Sequence, residues 1–338
     1  MNPSPFISVV MPVYNCALYI EEAVNSILNQ TFTDFELIII DDASTDGTTD
    51  ILKKYTDPRI ITLYKTLNQG VSSATNEGFR LANGKYIARM DADDIAVKER
   101  FEKQVRILEQ NKKILVCSSW VQHFGKSSSL IKFKETHEEI LSELLIQCSI
   151  CMPASMFRRE ELEGYFYEEN KHSGEDYDFW TKIAWKGEFY NIQEALLLYR
   201  VHDTQASKIY KPQQIVDDIQ IQLSLLKKLA YDKDKYPDTL ITKMRLLNAT
   251  LSIEDLVLFL EWIKELISLN DKTRIFPHKE FKAVLKRIRR SLIYSLYFKQ
   301  TGITKEWRAK ALLLLPLNEL LFVLTTKGRE IRKRLLRK

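Results

Sequence analysis

Long hydrophobic runs, a secretory leader and an abundance of glycine and proline are all missing from this sequence of 338 residues. No uninterrupted stretch of about 18 apolar residues occurs, so we expect no membrane-spanning helix. The N-terminus, MNPSPFISVV, has no basic segment followed by an apolar one, so we expect no signal peptide. Only 10 glycines and 9 prolines accompany a hydrophobic fraction of 45%, which excludes collagen-like, low-complexity and disordered chains.

Cysteine is also scarce, with four residues in the chain: Cys16, Cys117, Cys148 and Cys151. Such a low density at this length does not support a disulfide framework and predicts a reducing, cytoplasmic location. Cys148 and Cys151 form an isolated CxxC pattern, without a second pair of cysteines or histidines. We interpret them as small buried residues, with a zinc or redox centre as the alternative.

The positive charge is concentrated at one end of the chain. The net charge is +5, but residues 327–338 contain seven Lys/Arg and one Glu, and the first 326 residues sum to −1. A basic tail on a neutral body favours an anionic surface over a nucleic-acid groove. We therefore expect no nucleic-acid partner, and an anionic membrane surface as the partner of the tail.

Apolar strands alternate with amphipathic helices through the first 121 residues. Short β-branched runs are typical of buried strands, and residues at helical spacing separate them. Ser44 is expected to cap the second helix. The alternation predicts right-handed crossovers and a doubly wound, mainly parallel α/β sheet. The predicted strands are 7–13, 35–40, 60–64, 85–90 and 115–121, and the predicted helices are 17–29, 44–55, 70–82 and 97–110.

Polar side chains follow three of these strands at their carboxyl ends, which is where ligands bind in open α/β sheets. We expect them to line one crevice. No GxGxxG motif follows the first strand and no P-loop is present, which disfavours a dinucleotide-dependent oxidoreductase and a P-loop NTPase. The crevice residues are Tyr14, Asn15, Asp41, Asp42, Asp91, Asp93 and Asp94.

The segment Asp91–Asp94, with three carboxylates in four residues, is the sharpest chemical signal. Neighbouring carboxylates repel one another unless solvent or a cation neutralises them. Oxygen ligands suit Mg²⁺ or Mn²⁺, which commonly bind one or two carboxylates together with substrate phosphates. The alternative is an acidic turn that caps the helix near residue 97.

Five ordered motifs and a short segment after them resemble the family 2 glycosyltransferases, which are inverting nucleotide-sugar enzymes with the GT-A fold. The resemblance covers about residues 6–207. In one departure, many members have Ala-Arg-Asn where this chain has Ala74-Thr75-Asn76, which removes a basic contact to the nucleotide. The matching stretches are VVMPVYN (9–15), SILNQTF (26–32), IIDDASTDG (39–47), GKYIARMDADD (84–94), GEDYDFW (174–180) and YRVH (199–202).

For the donor, the resemblance implies a UDP-sugar. Pro12 and Tyr14 would lie against the uracil ring, with Asn15 in the same donor site. Asp42 would accept a hydrogen bond from the base, although it could equally cap the helix over 46–55. Asp91 would lie near the ribose.

The resemblance also implies a metal and a general base. Asp93 would bind Mn²⁺ or Mg²⁺ at the diphosphate. Arg200 would contact phosphate, and His202 would contact the metal or phosphate, or else fix its loop. Asp176 would be the general base with Glu175 as its neighbour on the acceptor side; the alternative for Asp176 is an ion pair on its helix.

Beyond residue 207 the pattern predicts helices. Amphipathic spacing over 213–230 and 252–269, and again from Phe281, is typical of helices that pack on a partner. Interrupted leucine runs followed by the basic tail predict a helix lying on anionic lipid, with a helical subdomain or dimer contact as the alternative. The predicted domains are a catalytic GT-A domain (1–207), a helical extension (208–308) and a membrane-surface segment (309–338).

Together, the patterns and the resemblance predict transfer of a hexose or N-acetylhexosamine from a UDP-sugar to a bacterial surface glycan, such as lipooligosaccharide, O-antigen or capsule. A lipid-linked glycan acceptor would be met at the inner face of the cell membrane. The alternatives are transfer to polyprenyl phosphate or a soluble acceptor, and a binding module without activity. Asp93 and Asp176 together argue against the module, because binding alone needs no base.

Overall fold

A computed structural model describes residues 4–169, 173–203, 205, 211–246, 251–299 and 303–335, with residues 211, 212 and 328–335 described by their backbone alone. The chain divides into two compact units, Met1–Ile221 and Gln222–Lys338. The domain boundaries expected at 207 and 308 stay predictions, and residue 207 lies outside the described residues. Most side chains of the predicted basic tail lie outside the described residues.

Within the described residues, the first unit contains one nine-stranded sheet. Its strands are β1 (Ile7–Val13), β2 (Phe35–Asp41), β3 (Ile60–Tyr64), β4 (Tyr86–Arg89), β5 (Ile95–Ala96), β6 (Ile114–Gly125), β7 (Leu130–Ile131), β8 (Met156–Arg158) and β9 (Glu188–Val201). They lie in the order β3-β2-β1-β4-β8-β6-β9-β5, with β7 beside β6. The first four strands and the β6–β9 pair are parallel, while β8 runs antiparallel to β4 and β6. The predicted mainly parallel sheet is therefore confirmed.

Helices separate the strands and make up the second unit. Those of the first unit are α1 (Ile20–Leu28), α2 (Thr48–Leu52), α3 (Val71–Leu81), α4 (Arg100–Gln110), α5 (His137–Glu143) and α6 (Glu175–Ile183), and α7 (Lys211–Leu226) includes the division between the units. Those of the second unit are α8 (Asp238–Leu246), α9 (Ile253–Thr273), α10 (His278–Tyr294), α11 (Lys305–Leu314) and α12 (Leu317–Leu335). Among all described residues, no helix has both the length and the apolar character needed to cross a bilayer.

The strand ends that matter for function are aligned by their register. β1 and β2 are buried along nearly their whole length, as their β-branched composition predicts. Val13 pairs with Asp41, so both strands end at the same level, and Val10 pairs with Arg89 at the end of β4. Three carboxyl ends therefore meet at one edge of the sheet.

The second helix is shorter than predicted, and Ser44 is not its cap. α2 begins at Thr48 after Gly47, whose φ is 97°, and ends at Leu52. Asp46 accepts a hydrogen bond from the backbone N–H of Thr48 at 3.0 Å. The Ser44 hydroxyl instead accepts one from the N–H of Asn15 at 2.9 Å. The prediction was wrong because several capping side chains follow β2 and only their neighbours decide which one meets the helix.

In the second unit, the apolar spacing predicted from Phe281 is confirmed. Glu319 on α12 is fully buried and forms ion pairs with Arg289 and Arg290 on α10. A buried carboxylate needs such partners because its desolvation is costly. Large apolar side chains nevertheless remain exposed on α11 and α12, with Leu313 at 87% and Leu317 at 73%. The buried members of the predicted set are Phe281, Val284, Leu285, Ile288, Leu292 and Leu296.

Close packing of α3 on β1 generates a test of the fold. A Cβ on Gly78 would lie 2.3 Å from the Cγ1 of Val10. We expect Gly78→Ala to destabilise the protein by about 1–3 kcal/mol, partly offset by the better helix propensity of alanine. In the double variant with Val10→Ala, the new methyl group would occupy space that the valine leaves. The free energy of unfolding, measured in urea, should then fall by less than the sum of the decreases in the two single variants. Additive decreases would contradict this packing.

Candidate active site

The loops that follow β1 and β2 are tied to each other by short hydrogen bonds. Asn15, at φ 52°, accepts through its Oδ1 from the N–H of Thr45 at 2.8 Å. Asp46 accepts from the N–H of Ala17 at 2.9 Å. Asp41 accepts from the hydroxyl of Thr49 at 2.5 Å. These bonds hold the two loops together, and the Oδ1 of Asn15 is already engaged in one of them.

Pro12 and Tyr14 differ in exposure. Pro12 is buried within β1, opposite Ile40, whereas Tyr14 is 47% exposed just beyond the end of the strand. An exposed tyrosine ring at a strand end offers a flat apolar surface to a ligand. Of the two residues predicted to face a base, only Tyr14 presents its ring to solvent.

The Asp42 carboxylate is buried and has several partners. It accepts from the backbone N–H groups of Gln69 at 3.1 Å and Gly70 at 2.7 Å, and it pairs with the Nζ of Lys65 at 2.6 Å. Because Gly70 directly precedes α3, Asp42 stabilises the entry to that helix rather than to α2. The alternative that Asp42 caps the helix over 46–55 is therefore wrong.

The turn after β4 brings three carboxylates together. One oxygen each of Asp91, Asp93 and Asp94 lies within 4.8 Å of the others. Burial and the nearby Asp91 raise the pKa of Asp93, and burial with both neighbours raises the pKa of Asp94 well above its usual value. The buried Oδ2 of Asp94 has no hydrogen-bond partner. This repulsive, all-oxygen group with an unpartnered oxygen fits a hard divalent cation such as Mg²⁺ or Mn²⁺.

The end of β9 is fastened to this turn. The Nε2 of His202 lies 2.9 Å from Oδ2 of Asp93. Arg200 donates from its backbone N–H to Asp94 at 2.9 Å and from its Nε to the Asp93 carbonyl at 2.7 Å. Its Nη2 forms an ion pair with Glu22 at 2.7 Å. The predicted residues Arg200 and His202 thus meet the acidic turn, with the Arg200 guanidinium engaged in holding it.

A second acidic pair, Glu175 and Asp176, begins α6. The hydroxyl of Tyr167 donates to Oδ1 of Asp176 at 2.8 Å. Burial and the neighbouring Glu175 raise the pKa of Asp176 to about 7, against the opposing influence of Arg89 and the Tyr167 hydrogen bond. A carboxyl group that titrates near neutrality suits proton transfer.

Arg89 connects the two acidic groups electrostatically. Its side chain is 3% exposed, and its Nη1 lies 2.9 Å from Oδ1 of Asp91. Burial alone would lower the pKa of Arg89, but Asp91, Tyr167 and Asp176 together raise it. The guanidinium therefore stays charged and attracts both the acidic turn and the start of α6.

Comparison with known proteins identifies the family. The family model described as "Glycosyl transferase family 2" matches residues 8–166. EpsE of Bacillus subtilis, named as a glycosyltransferase, is 36% identical over 217 residues, which span 62% of this chain and 77% of EpsE. The chain belongs to glycosyl transferase family 2. TuaG of the same organism is named for teichuronic acid biosynthesis. It is 31% identical to this glycosyltransferase over 209 residues, which span 61% of the present chain and 83% of TuaG.

Solved structures confirm the predicted GT-A fold. The crystal structure of S. aureus TarS 1–349 in complex with UDP-GlcNAc has a TM-score of 0.59 at 17% identity, covering 88% of this glycosyltransferase and 94% of that chain. The mannosyltransferase PcManGT from Pyrobaculum calidifontis, in complex with GDP-Man and Mn²⁺, has a TM-score of 0.51 at 18% identity, covering 88% and 89%. At 17% and 18% sequence identity, the similarity to these two structures shows the fold alone.

The sequence patterns did not predict a role for three residues at this site: Arg89, Lys65 and Tyr167. Arg89 lies inside a matched motif, and a charged residue in a buried strand is a signal that could have found it. Lys65 follows β3, where a lone lysine is usually solvated. Tyr167 lies in a segment without periodicity, and nothing local marks it as a partner of Asp176.

The acidic turn predicts a specific loss of metal affinity. Asp93→Asn removes a charged ligand, so we expect Mn²⁺ to bind at least about tenfold more weakly in the presence of UDP. The measurement is a Mn²⁺ titration followed by the EPR signal of the free ion. Asp50→Asn on the exposed surface of α2 is the control and should bind as the wild type does. Equal affinity in the Asp93 variant would exclude this turn as the metal site.

Proposed function

We propose that this glycosyltransferase transfers a hexose or N-acetylhexosamine from a UDP-sugar to a hydroxyl of a bacterial cell-surface glycan, with inversion at the anomeric carbon. The observation that carries the proposal is that Arg89 acts electrostatically both on an acidic turn that can hold a cation and on a separate carboxyl group, Asp176, whose pKa is raised to about 7. The UDP-GlcNAc complex of TarS and the name of TuaG support this donor and acceptor class. GDP-Man in PcManGT makes a guanosine donor the competing outcome.

On the donor side, Tyr14 is proposed to stack on the uracil ring. Pro12 and Asn15 would support the same donor site without stacking on the base, because Pro12 is buried and the exposed Asn15 is bonded to Thr45. Asp42 would reach the base only by giving up one of its present partners.

At the diphosphate, Asp93 is proposed to hold Mn²⁺ or Mg²⁺, with Asp94 and His202 beside it. When bound, such an ion neutralises the charge that develops on the departing diphosphate. Asp91, held by Arg89, is proposed to lie near the ribose. Arg200 keeps the turn in place through its bonds to Asp93 and Asp94, and contact of its guanidinium with phosphate is part of the proposal.

On the acceptor side, Asp176 is the proposed general base, with Glu175 next to it. As the acceptor oxygen forms its bond to the anomeric carbon, Asp176 takes the hydroxyl proton. The bond from that carbon to the diphosphate oxygen breaks, and its electron pair leaves with UDP. A single displacement of this kind inverts the anomeric carbon and needs no covalent nucleophile.

Replacing the base tests the proposal. With Mn²⁺ and a panel of UDP-sugars and GDP-mannose, we expect the wild type to release UDP from at least one donor. Asp176→Asn should lower that rate by roughly 10²–10⁴, the usual contribution of a positioned base, with UDP affinity unchanged within a few-fold. Asp178→Asn on the same helix, which removes an ion pair with Lys182, is the matched control and should retain the rate.

The same assay has a defined pH dependence. Only the ionised carboxylate of Asp176 can accept a proton, so kcat/KM should fall as the pH drops below about 7. Turnover of GDP-mannose alone would contradict the donor assignment. An unchanged rate in Asp176→Asn would move the base elsewhere, with Glu175 the next candidate.

We further propose that α11 and α12 attach the enzyme to the inner face of the cell membrane. Leu313, Leu317, Leu321 and Leu324 are more than half exposed, and the sequence places seven cations in residues 327–338. Exposed leucines beside basic residues match the requirements of an interfacial helix on anionic lipid. Attachment there would bring the site to lipid-linked glycans; polyprenyl phosphate and soluble glycans are the competing acceptors.

Two pairs of leucines with similar exposure provide the test. In Leu313→Ser/Leu317→Ser, affinity for vesicles containing phosphatidylglycerol should fall roughly 100-fold, at about 1.5 kcal/mol per leucine. Leu18 and Leu67 in the first unit are 83% and 68% exposed, so Leu18→Ser/Leu67→Ser removes the same apolar surface elsewhere. This control should sediment with vesicles as the wild type does. Equal binding by both double variants would contradict attachment through α11 and α12.

A further inference from the structure

We propose that Tyr167 and Asn76 are positioning residues that aim the Asp176 carboxylate at the acceptor. The inference rests on the proposed function, because it takes Asp176 to be the general base. Its first support is the 2.8 Å hydrogen bond from the Tyr167 hydroxyl to Oδ1 of Asp176. A base held by one oxygen leaves the other oxygen for the proton it accepts.

Asn76 clamps the backbone of Tyr167 from both sides. Its Oδ1 accepts from the N–H of Tyr167 at 2.8 Å, and its Nδ2 donates to the carbonyl of Tyr167 at 3.0 Å. Asn76 is 1% exposed and lies on α3, 91 residues earlier in the chain. A side-chain amide presents one acceptor and one donor side by side, so asparagine matches both backbone groups of one residue.

Two aromatic rings fix the direction of the Tyr167 side chain. The ring centroid of Phe179 lies 5.1 Å away at an interplanar angle of 86°, and that of Phe79 lies 5.9 Å away at 64°. Tyr167 is 5% exposed. Because Phe179 belongs to α6, the helix that carries Asp176 packs against the ring that bonds to Asp176.

The surroundings of Asp176 give the Tyr167 hydroxyl a measurable electrostatic effect. Burial and nearby negative charge favour the neutral acid, whereas Arg89 and the hydroxyl favour the carboxylate. Removing the hydroxyl should therefore raise the pKa of Asp176. Among the described residues, the titratable groups around Asp176 are Glu175 on its own helix, Arg89 and Asp91 at the end of β4, Tyr167, and the thiols of Cys148 and Cys151.

Tyr167→Phe is the decisive variant because it removes the hydroxyl and keeps the ring. We expect kcat to fall roughly tenfold, the scale of a hydrogen bond to a charged group, with donor KM unchanged within about twofold. The acid limb of the pH–rate profile should move to higher pH. Tyr165→Phe, two residues earlier in the same segment, is the matched control and should change neither quantity. Asn76→Asp, which replaces the amide donor by an acceptor, should act in the same direction as Tyr167→Phe.

A readout without turnover is the titration of the Asp176 carboxyl carbon by ¹³C NMR, with the signal assigned by its absence from Asp176→Asn. Tyr167→Phe should shift that titration to higher pH, and an unshifted titration would overturn the inference even if no donor were turned over. Loss of kcat with an unmoved acid limb and a proportionate drop in Tm would show a merely structural role and also overturn it.

If Asp176→Asn retained full activity, the proposed base would fail and the inference with it. If that variant were inactive while Tyr167→Phe behaved as the wild type, the inference alone would fail.

Discussion

The edge of the sheet that forms this site must hold several carboxylates close together, and like charges at short range raise the free energy of the folded state. One turn contains Asp91, Asp93 and Asp94. Asp176 lies at the start of α6, and its charge, like that of Asp91, acts on the guanidinium of Arg89. Arg89 is the buried cation that faces both groups. Its attraction offsets part of the repulsion between them, and the remaining charge at the turn favours a divalent ion.

The aspartates that follow the strands fall into two groups, which differ in their hydrogen-bond partners. Asp41, Asp42 and Asp46 accept hydrogen bonds from backbone N–H groups or from hydroxyls of the neighbouring loops. These bonds hold the loops after β1 and β2 to each other and to the start of α3, so these carboxylates have a structural role. Asp94 instead keeps a buried oxygen without a partner. The loops after β1 and β2 are therefore held by hydrogen-bonded carboxylates, whereas the acidic turn after β4 keeps a buried carboxylate oxygen that has no hydrogen-bond partner.

Long-range strand pairing completes the site. β5 directly follows the acidic turn and pairs with Leu197 and Leu198 of β9. This pairing brings Arg200 and His202 to Asp93 and Asp94 across more than 100 residues of chain. Closing such a loop costs entropy that the sheet contacts must offset. The position of His202 is consequently a property of the assembled sheet.

Local patterns in the sequence were sufficient to determine the parallel sheet, because burial on both faces imposes apolar, β-branched runs such as those at 7–13 and 35–40. They also indicated the acidic turn and the start of α6, since each functional group there is contiguous in the chain. The hydrogen bond from the N–H of Thr48 at the start of α2 to Asp46, rather than to Ser44, could not be predicted, because both residues have suitable side chains and the packed loops decide between them. The clamp of Asn76 on Tyr167 and the bond from Tyr167 to Asp176 were decided by tertiary structure alone. Hydrogen bonds between a helix and a non-periodic segment 91 residues away leave no pattern in either stretch of sequence.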